Sequence, residues 1–262
     1  KAPFVVSAVD RKEIRRSPPP PYTTSTLQHD AGRRLGFSAK KIMQLAQKLY
    51  EEGIITYHRT DSVNLSEKFI TEARDFITTT YGKNYIPDKA RRYQTKSKLA
   101  QEAHEAIRPT DVGMTNEKFP LPNQELNRDH HRLYNLIWTR GTASQAHEAI
   151  FDSTVIRITS GNNYLFEVQG SIIKFDGYLK ILGRETDGEG ELPHVSVGAA
   201  LTLEKAIPTQ HFTAPPPRYS EAALVKALEE KDIGRPSTYA PIISTIQERM
   251  YVEKEDKKLK DL

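Results

Sequence analysis

The spacing of apolar positions along this chain changes character more than once. Between Ser38 and Gly53, Ile42, Leu45, Ala46 and Leu49 recur at i, i+3, i+4 and i+7, one stripe of a helix that Ser38 can cap and Gly53 can end. A second helix follows directly. Leu65 and Ile70 flank Ser66 as a hydrophobic staple around an N-cap, Ile70, Ala73 and Ile77 share a face, and Gly82 stops it. The hydroxyl-rich stretch 22–28 opens an earlier helix, 101–107 reads as a short helix bearing Glu102, His104 and Glu105, and a further helix runs from Asp129 through Leu133, Leu136, Ile137 and Arg140, with Trp138 packing. Then the period shortens. The runs 154–158, 164–168, 172–175 and 201–203 are rich in β-branched and aromatic residues and are separated by Gly161-Asn162, Gly170, Gly183, Gly188, Gly190 and Gly198, which predicts an antiparallel sheet or open barrel. The segment 4–9 is strand-like as well. Beyond residue 219 the helical period returns, with Leu224, Val225 and Leu228 before Gly234, a tight Arg235-Pro236-Ser237-Thr238 turn, then Ile242, Ile243 and Ile246 and a strand-like Met250-Tyr251-Val252. Helix, turn, helix, strand is the outline of a winged-helix unit.

Proline runs at 18–21 and 215–217 break both helix and central strand, and so mark domain boundaries in a chain of 262 residues, a length that itself favours more than one core. Composition narrows the picture a little. With 37% hydrophobic and 27% charged residues and a formal charge of +4, an anionic partner is permitted but not demonstrated. The absence of cysteine excludes disulfides and thiolate-held zinc, and fits a reducing interior. No apolar run is long enough to span a membrane and the N-terminus has no signal-peptide pattern. The chain opens without Met straight into a strand, as a piece cut from something longer would.

Candidate chemistry centres on Gly53-Ile54-Ile55-Thr56-Tyr57-His58-Arg59-Thr60-Asp61-Ser62. A tyrosine hydroxyl is a poor nucleophile at neutral pH, with a pKa of about 10. On extended backbone, residues at i and i+2 share a face, so Tyr57 and Arg59 can reach one phosphate, the first as nucleophile and the second as a bidentate clamp. A half-buried strand tyrosine beside a surface arginine has the same spacing. Arg235, Ser237 and Thr238 at a helix N-terminus also suit a phosphate. The cations at 11–16 and the connector bearing Lys89, Arg91, Arg92, Lys96 and Lys98 around Tyr93 fit either a single strand of nucleic acid or a solvated face. His104-Glu105-Ala106-Ile107-Arg108 lacks the second histidine of a zinc-protease motif, and the acidic tract 185–191 lacks EF-hand spacing.

Four segments together resemble the signatures of the type IA DNA topoisomerases, the bacterial topoisomerase I branch in particular, in that family's order: Pro21-Tyr22-Thr23-Thr24-Ser25-Thr26-Leu27-Gln28, the Tyr57 segment, His104-Glu105-Ala106-Ile107-Arg108-Pro109 and Gly234-Arg235-Pro236-Ser237-Thr238-Tyr239-Ala240. The resemblance implies that Tyr57 attacks a phosphodiester of single-stranded DNA and becomes linked to the 5′ phosphate, that Arg59 steadies the scissile phosphate, that His104 lies near the tyrosine, and that Arg108, Arg235, Ser237 and Thr238 contact DNA. Asp61 is placed as a partner orienting Arg59. The implied fold is multidomain α+β: residues 17–145 form a helical domain carrying the catalytic tyrosine, inserted in an antiparallel β arch domain of residues 1–16 and 146–213, and 214–262 begin a second helical, winged-helix-like DNA-binding domain.

The family's acidic metal-binding domain and its C-terminal zinc ribbons have no counterpart in this sequence, and no Asp-x-Asp pattern occurs. The resemblance therefore implies a bacterial, cytoplasmic parent that relaxes negatively supercoiled DNA with Mg²⁺ held by a domain outside this chain, no metal bound by the chain itself, no membrane, and a monomeric piece inactive in relaxation without its remaining domains. A non-catalytic single-stranded-DNA-binding module, whose tyrosine only stacks on bases, is the alternative.

Overall fold

The computed structural model describes residues 3–94, 104–120, 126–161, 164–183 and 190–255. In chain order the elements are β1 (Phe4–Arg16), α1 (Thr24–Leu35), α2 (Ala39–Glu51), α3 (Glu67–Tyr81), a 3₁₀ turn (Lys83–Tyr85), α4 (Arg128–Ala143), β2 (Ala149–Ser160), β3 (Leu165–Phe175), α5 (Tyr178–Leu182), β4 (Ala200–Leu201), α6 (Glu221–Glu230) and α7 (Tyr239–Glu248). They divide into two compact units: Lys1–Pro18 with Ala146–Pro217, and Pro19–Gln145 with Arg218–Leu262.

The first unit is built on one antiparallel sheet of order β3-β2-β1-β4. β1 is longer than its apolar start, 4–9, predicts: pairing continues through the cations to Arg16, which opposes Ala149. The basic residues are held on the sheet rather than released as a linker. Arg15 is ion-paired to Glu13 and Glu148, and Arg16 lies over the Phe151 ring at 4.4 Å. The run 201–203 contributes only the two-residue β4.

The second unit is helical. Ser38 caps α2 by accepting from the Lys41 amide, the stripe Ile42, Leu45, Ala46 and Leu49 is buried, and Gly53 follows with φ +69°, a conformation few other residues adopt. Ser66 caps α3 in the same way, and Leu65 packs on the buried cluster of Phe69, Ala73 and Val112. Asn127 caps α4, whose Trp138 donates its ring N–H to the Val112 carbonyl. A polar hub lies behind α1: the Tyr22 hydroxyl donates to Asp30, Arg34 pairs with the same carboxylate at 2.9 Å, and Arg140 lies over the Tyr22 ring.

α6 and α7 belong to this unit. Val225, Tyr239, Ala240 and Ile243 are buried together with Ala39 of α2. α6 comes so close to α1 that a Cβ built on Gly32 would stand 3.1 Å from the Ala222 Cβ. Ser25 and Glu229 are hydrogen-bonded between the same two helices at 2.5 Å. The strand expected at 250–252 does not form, because Met250 turns the chain with φ +56° just past α7. No wing strand therefore accompanies α6 and α7 among the described residues.

The predicted short helix 101–107 is also absent where it can be seen. Residues 104–109 run extended, their amides bonded to distant carbonyls: Ala106 to Asn64, Ile107 to Tyr22. Residues 101–103, Lys96, Lys98, Asn162, residues 185–189 of the acidic tract and the lysines beyond 255 lie outside the described residues. Among those described, no helix is long and apolar enough to cross a membrane.

Candidate active site

Tyr57 sits on an irregular loop between α2 and α3, and the loop's shape is imposed by two other segments. Ile55 bridges Pro109. The Thr56 amide donates to the Arg108 carbonyl, the Thr56 hydroxyl donates to the Ala106 carbonyl at 2.7 Å, and the Arg108 amide returns a bond to that hydroxyl at 3.0 Å. Thr110 closes the other side on the Gly53 and Ile54 carbonyls. Past the tyrosine, the Thr24 hydroxyl donates to the His58 carbonyl and accepts from the Thr60 amide, while the Thr24 amide donates to the Thr60 carbonyl. Three of the four motif segments are thus sewn together around the residue one of them presents. Pre-paired backbone of this kind holds a reactive side chain in place without help from its own contacts.

The loop alternates outward and inward over Tyr57 to Thr60. Tyr57 is 45% exposed and Arg59 is exposed, whereas His58 and Thr60 are buried. Tyr57 and Arg59 are thus both exposed with a buried residue between them, on a loop and not a regular strand. The Tyr57 ring stands edge-on to Tyr50 at 5.1 Å and to His58 at 5.3 Å.

His58 is the residue that sequence reasoning passed over. It is fully buried, neither ring nitrogen has a protein hydrogen-bond partner, and burial, reinforced by the Arg59 guanidinium next to it, pushes its pKa down to about 4. It is a neutral imidazole at physiological pH. Tyr50, at the end of α2, was missed for a different reason: it lies off the apolar stripe, and its role as a wall for Tyr57 depends on how the following loop turns back.

The other predicted residues divide. His104 is partly buried on the extended segment, two residues before Ala106, whose carbonyl holds Thr56. Arg108 faces inward. Its guanidinium is bonded to Glu105 at 2.7 Å and to Ser66, lies 4.9 Å over Phe69, and its side chain is 13% exposed, so it ties α3 to the extended segment. Asp61 makes no ion pair with Arg59 among the described residues; its charge is felt instead at Tyr239, whose phenol is raised first by burial and then by Glu229, with Asp61 adding to them. Arg235, Ser237 and Thr238 are all exposed at the start of α7, where Arg235 donates to the Gly234 carbonyl and its amide bonds the Thr238 hydroxyl. Ser237 and Arg59 line a common cleft of ≈ 450 Å³ between α2 and α7. The fourth motif therefore meets the Tyr57 loop through Arg59.

Chemically, the arrangement offers an exposed phenol and an exposed guanidinium on a fixed backbone, with the exposed Ser237 of the α7 N-terminus in the same cleft as the guanidinium. That is a set suited to a phosphate ester. Among the described residues no group of three or more His, Asp or Glu side chains is placed to hold a metal ion.

Residues 1–261 match the family model described as DNA topoisomerase. The chain is 48% identical over 269 aligned residues to DNA topoisomerase 1 of Rickettsia prowazekii, covering 97% of this chain and 34% of that protein. It is also 48% identical to DNA topoisomerase 1 of Xylella fastidiosa, covering 95% of this chain and 32% of that protein. The solved structure of full-length topoisomerase I from Thermotoga maritima superposes with a TM-score of 0.83 at 35% identity, over 97% of this chain and 42% of that one. The chain thus spans about a third of the length of these curated relatives. Taken with the four ordered motifs and the loop they build around Tyr57, these matches show that the chain belongs to the type IA DNA topoisomerase family.

Proposed function

We propose that Tyr57 is the nucleophile that cuts and reseals one DNA strand. Its hydroxyl oxygen attacks the phosphorus of a phosphodiester in a single-stranded region, the bond from phosphorus to the 3′ oxygen breaks, and Tyr57 is left joined to the 5′ phosphate. The proton given up by the phenol is balanced by the one that the departing 3′ hydroxyl takes up. One phosphodiester replaces another, so the strand is resealed by the reverse step without ATP. Passage of a second strand through the break relaxes negatively supercoiled DNA.

Arg59 neutralises charge on the scissile phosphate, His104 flanks the tyrosine on the extended segment, and Arg235, Ser237 and Thr238 hold the strand at the start of α7. Mg²⁺ belongs to this reading too, bound by acidic residues of a domain outside this chain. What this chain contributes is position and positive charge. The chain alone is then inactive in relaxation.

The observation that supports the reading is the convergence of three distant segments on the backbone that carries Tyr57 and Arg59, with both side chains left exposed. The test is Tyr57→Phe in the complete protein. Relaxation should be lost while single-stranded DNA is still bound. Relaxation that survives the substitution would refute Tyr57 as nucleophile and leave a DNA-binding module, and robust relaxation by the 262-residue chain alone would refute its predicted inactivity.

A further inference from the structure

α3 begins with half a cap. Ser66 is its N-cap, and in a capping box the side chain at N3 would reach back to accept from the Ser66 amide. N3 is Phe69, which has no acceptor to offer. Glu105, from the extended segment 104–109, takes that place: one of its carboxylate oxygens accepts from the Ser66 amide at 2.6 Å. The other oxygen accepts from Arg108 at 2.7 Å. The same Arg108 nitrogen also donates to the Ser66 hydroxyl at 3.2 Å, and the second terminal nitrogen donates to the Pro109 carbonyl at 3.0 Å.

These bonds fall where the Tyr57 loop ends. One residue on, the Ala106 amide donates to the Asn64 carbonyl at 2.8 Å, a second tie to the same place. The start of the loop is gripped by the same segment, through Thr56 on the Ala106 and Arg108 backbone and the Thr110 amide on the Ile54 carbonyl. Segment 104–110 is therefore a brace across the loop, and Glu105 is the carboxylate that fastens its far end. Bonds to a carboxylate are stronger than the neutral bonds beside them, and both Glu105 oxygens are engaged. Arg108 is committed to the brace: one terminal nitrogen serves two acceptors and its side chain is 13% exposed, so the fork that a phosphate would need is already closed.

We infer that Glu105 is a positioning residue for strand cleavage: through the Ser66 amide and Arg108 it fixes the loop that presents Tyr57, and Arg108 serves this clamp instead of a DNA phosphate. This rests on the strand-cleavage reading above, with Tyr57 as the attacking group. Displacing an attacking atom by ~1 Å costs about a hundredfold in rate, whereas a strand held by other groups keeps its affinity. Neighbouring side chains on extended backbone point to opposite sides, so the anchoring of Glu105 also sets the side from which His104 projects.

The test compares the complete protein with Glu105→Ala, Glu105→Gln, Arg108→Ala, the double variant Glu105→Ala/Arg108→Ala, Tyr57→Phe and the control Glu72→Ala on α3, where Glu72 faces Lys68. Two quantities are read on a labelled single strand: the rate constant of covalent-adduct formation with Mg²⁺ at saturating protein, and the affinity without Mg²⁺ over a series of salt concentrations. Glu105→Ala is expected to slow adduct formation by at least about tenfold, with an affinity within about twofold of the parent and an unchanged slope of log affinity against log salt. Arg108→Ala should behave alike, and the double variant should be no slower than the slower single, because the two side chains act as one unit. Glu105→Gln keeps an acceptor for the Ser66 amide and should recover part of the rate, while Glu72→Ala changes neither quantity. If Glu105→Ala does not fold, Arg108→Ala and Glu105→Gln decide: slower adduct formation at parental affinity supports the clamp, and the parental rate in both overturns it. A parental rate in a folded Glu105→Ala overturns it as well and leaves the strand-cleavage reading standing. So does a salt slope lowered by about 0.7 in Arg108→Ala, the mark of a lost phosphate contact. An adduct that survives Tyr57→Phe removes the strand-cleavage reading, and the inference with it.

Discussion

His58 gives the sharpest quantitative prediction, because its burial and its lack of partners are both unusual for an imidazole. In the folded chain it ionises at about 4, against 6.5 for an ordinary histidine. The folded value is the depressed one, so between these two values the unfolded chain binds more protons and stability falls as the pH is lowered through that window. At about 1.4 kcal/mol per pH unit, the full effect is about 3 kcal/mol below pH 4, and at pH 5 it is already about 2 kcal/mol. His58→Leu removes the titrating group, keeps an apolar side chain against the Tyr50 and Tyr57 rings, and leaves no buried nitrogen without a partner. The assay is urea unfolding of parent and variant at pH 7 and pH 5 at one ionic strength. At pH 7 the variant should be no less stable than the parent by more than about 1 kcal/mol. At pH 5 the parent should have lost about 2 kcal/mol more than the variant. His130, which burial also depresses, is present in both proteins and cancels in the comparison. Equal losses in the two proteins would refute the reasoning and mean that His58 titrates as if solvated.

Two other substitutions test the scaffold behind the loop. Tyr22→Phe deletes the buried donor to Asp30 and leaves the carboxylate to Arg34 and Arg140, so unfolding in urea should show a loss of about 1.5–3 kcal/mol, and a change below the error of that measurement would contradict a structural role for the hub. Gly32→Leu forces a side chain into the α1–α6 contact at Ala222. A cost of about 1–3 kcal/mol is expected despite the better helix propensity of leucine, with partial recovery in the double variant Gly32→Leu/Ala222→Gly; a Gly32→Leu variant as stable as the parent would mean that α6 is not seated on α1 as described.

Helices announced by caps and a buried stripe were legible in the sequence. Ser38 and Ser66 each cap the helix expected of them. Such signals are local, so no tertiary information is needed to read them. β1 was legible only in its first half, because the cations from Arg11 to Arg16 look like linker until the partners that accept them, Glu148 and the Phe151 ring, are brought alongside. The segment 104–109 has the composition of a helix but is extended, since its amides find the Asn64 and Tyr22 carbonyls, which no local pattern can foresee. At the candidate site, residue type and spacing single out Tyr57 and Arg59 as candidates, and both are exposed. The inward turn of His58 and the commitment of Arg108 to Glu105 could not, for both depend on which neighbour the fold supplies.

The most direct test of the central claim is a denaturing-gel search for a covalent adduct between labelled single-stranded DNA and this chain, with and without Mg²⁺ and with the acidic domain of a full-length relative added in trans. The account predicts an adduct only when both are supplied, mapped by peptide analysis to Tyr57 and absent in Tyr57→Phe. An adduct on another residue, or one that persists in Tyr57→Phe, would contradict it.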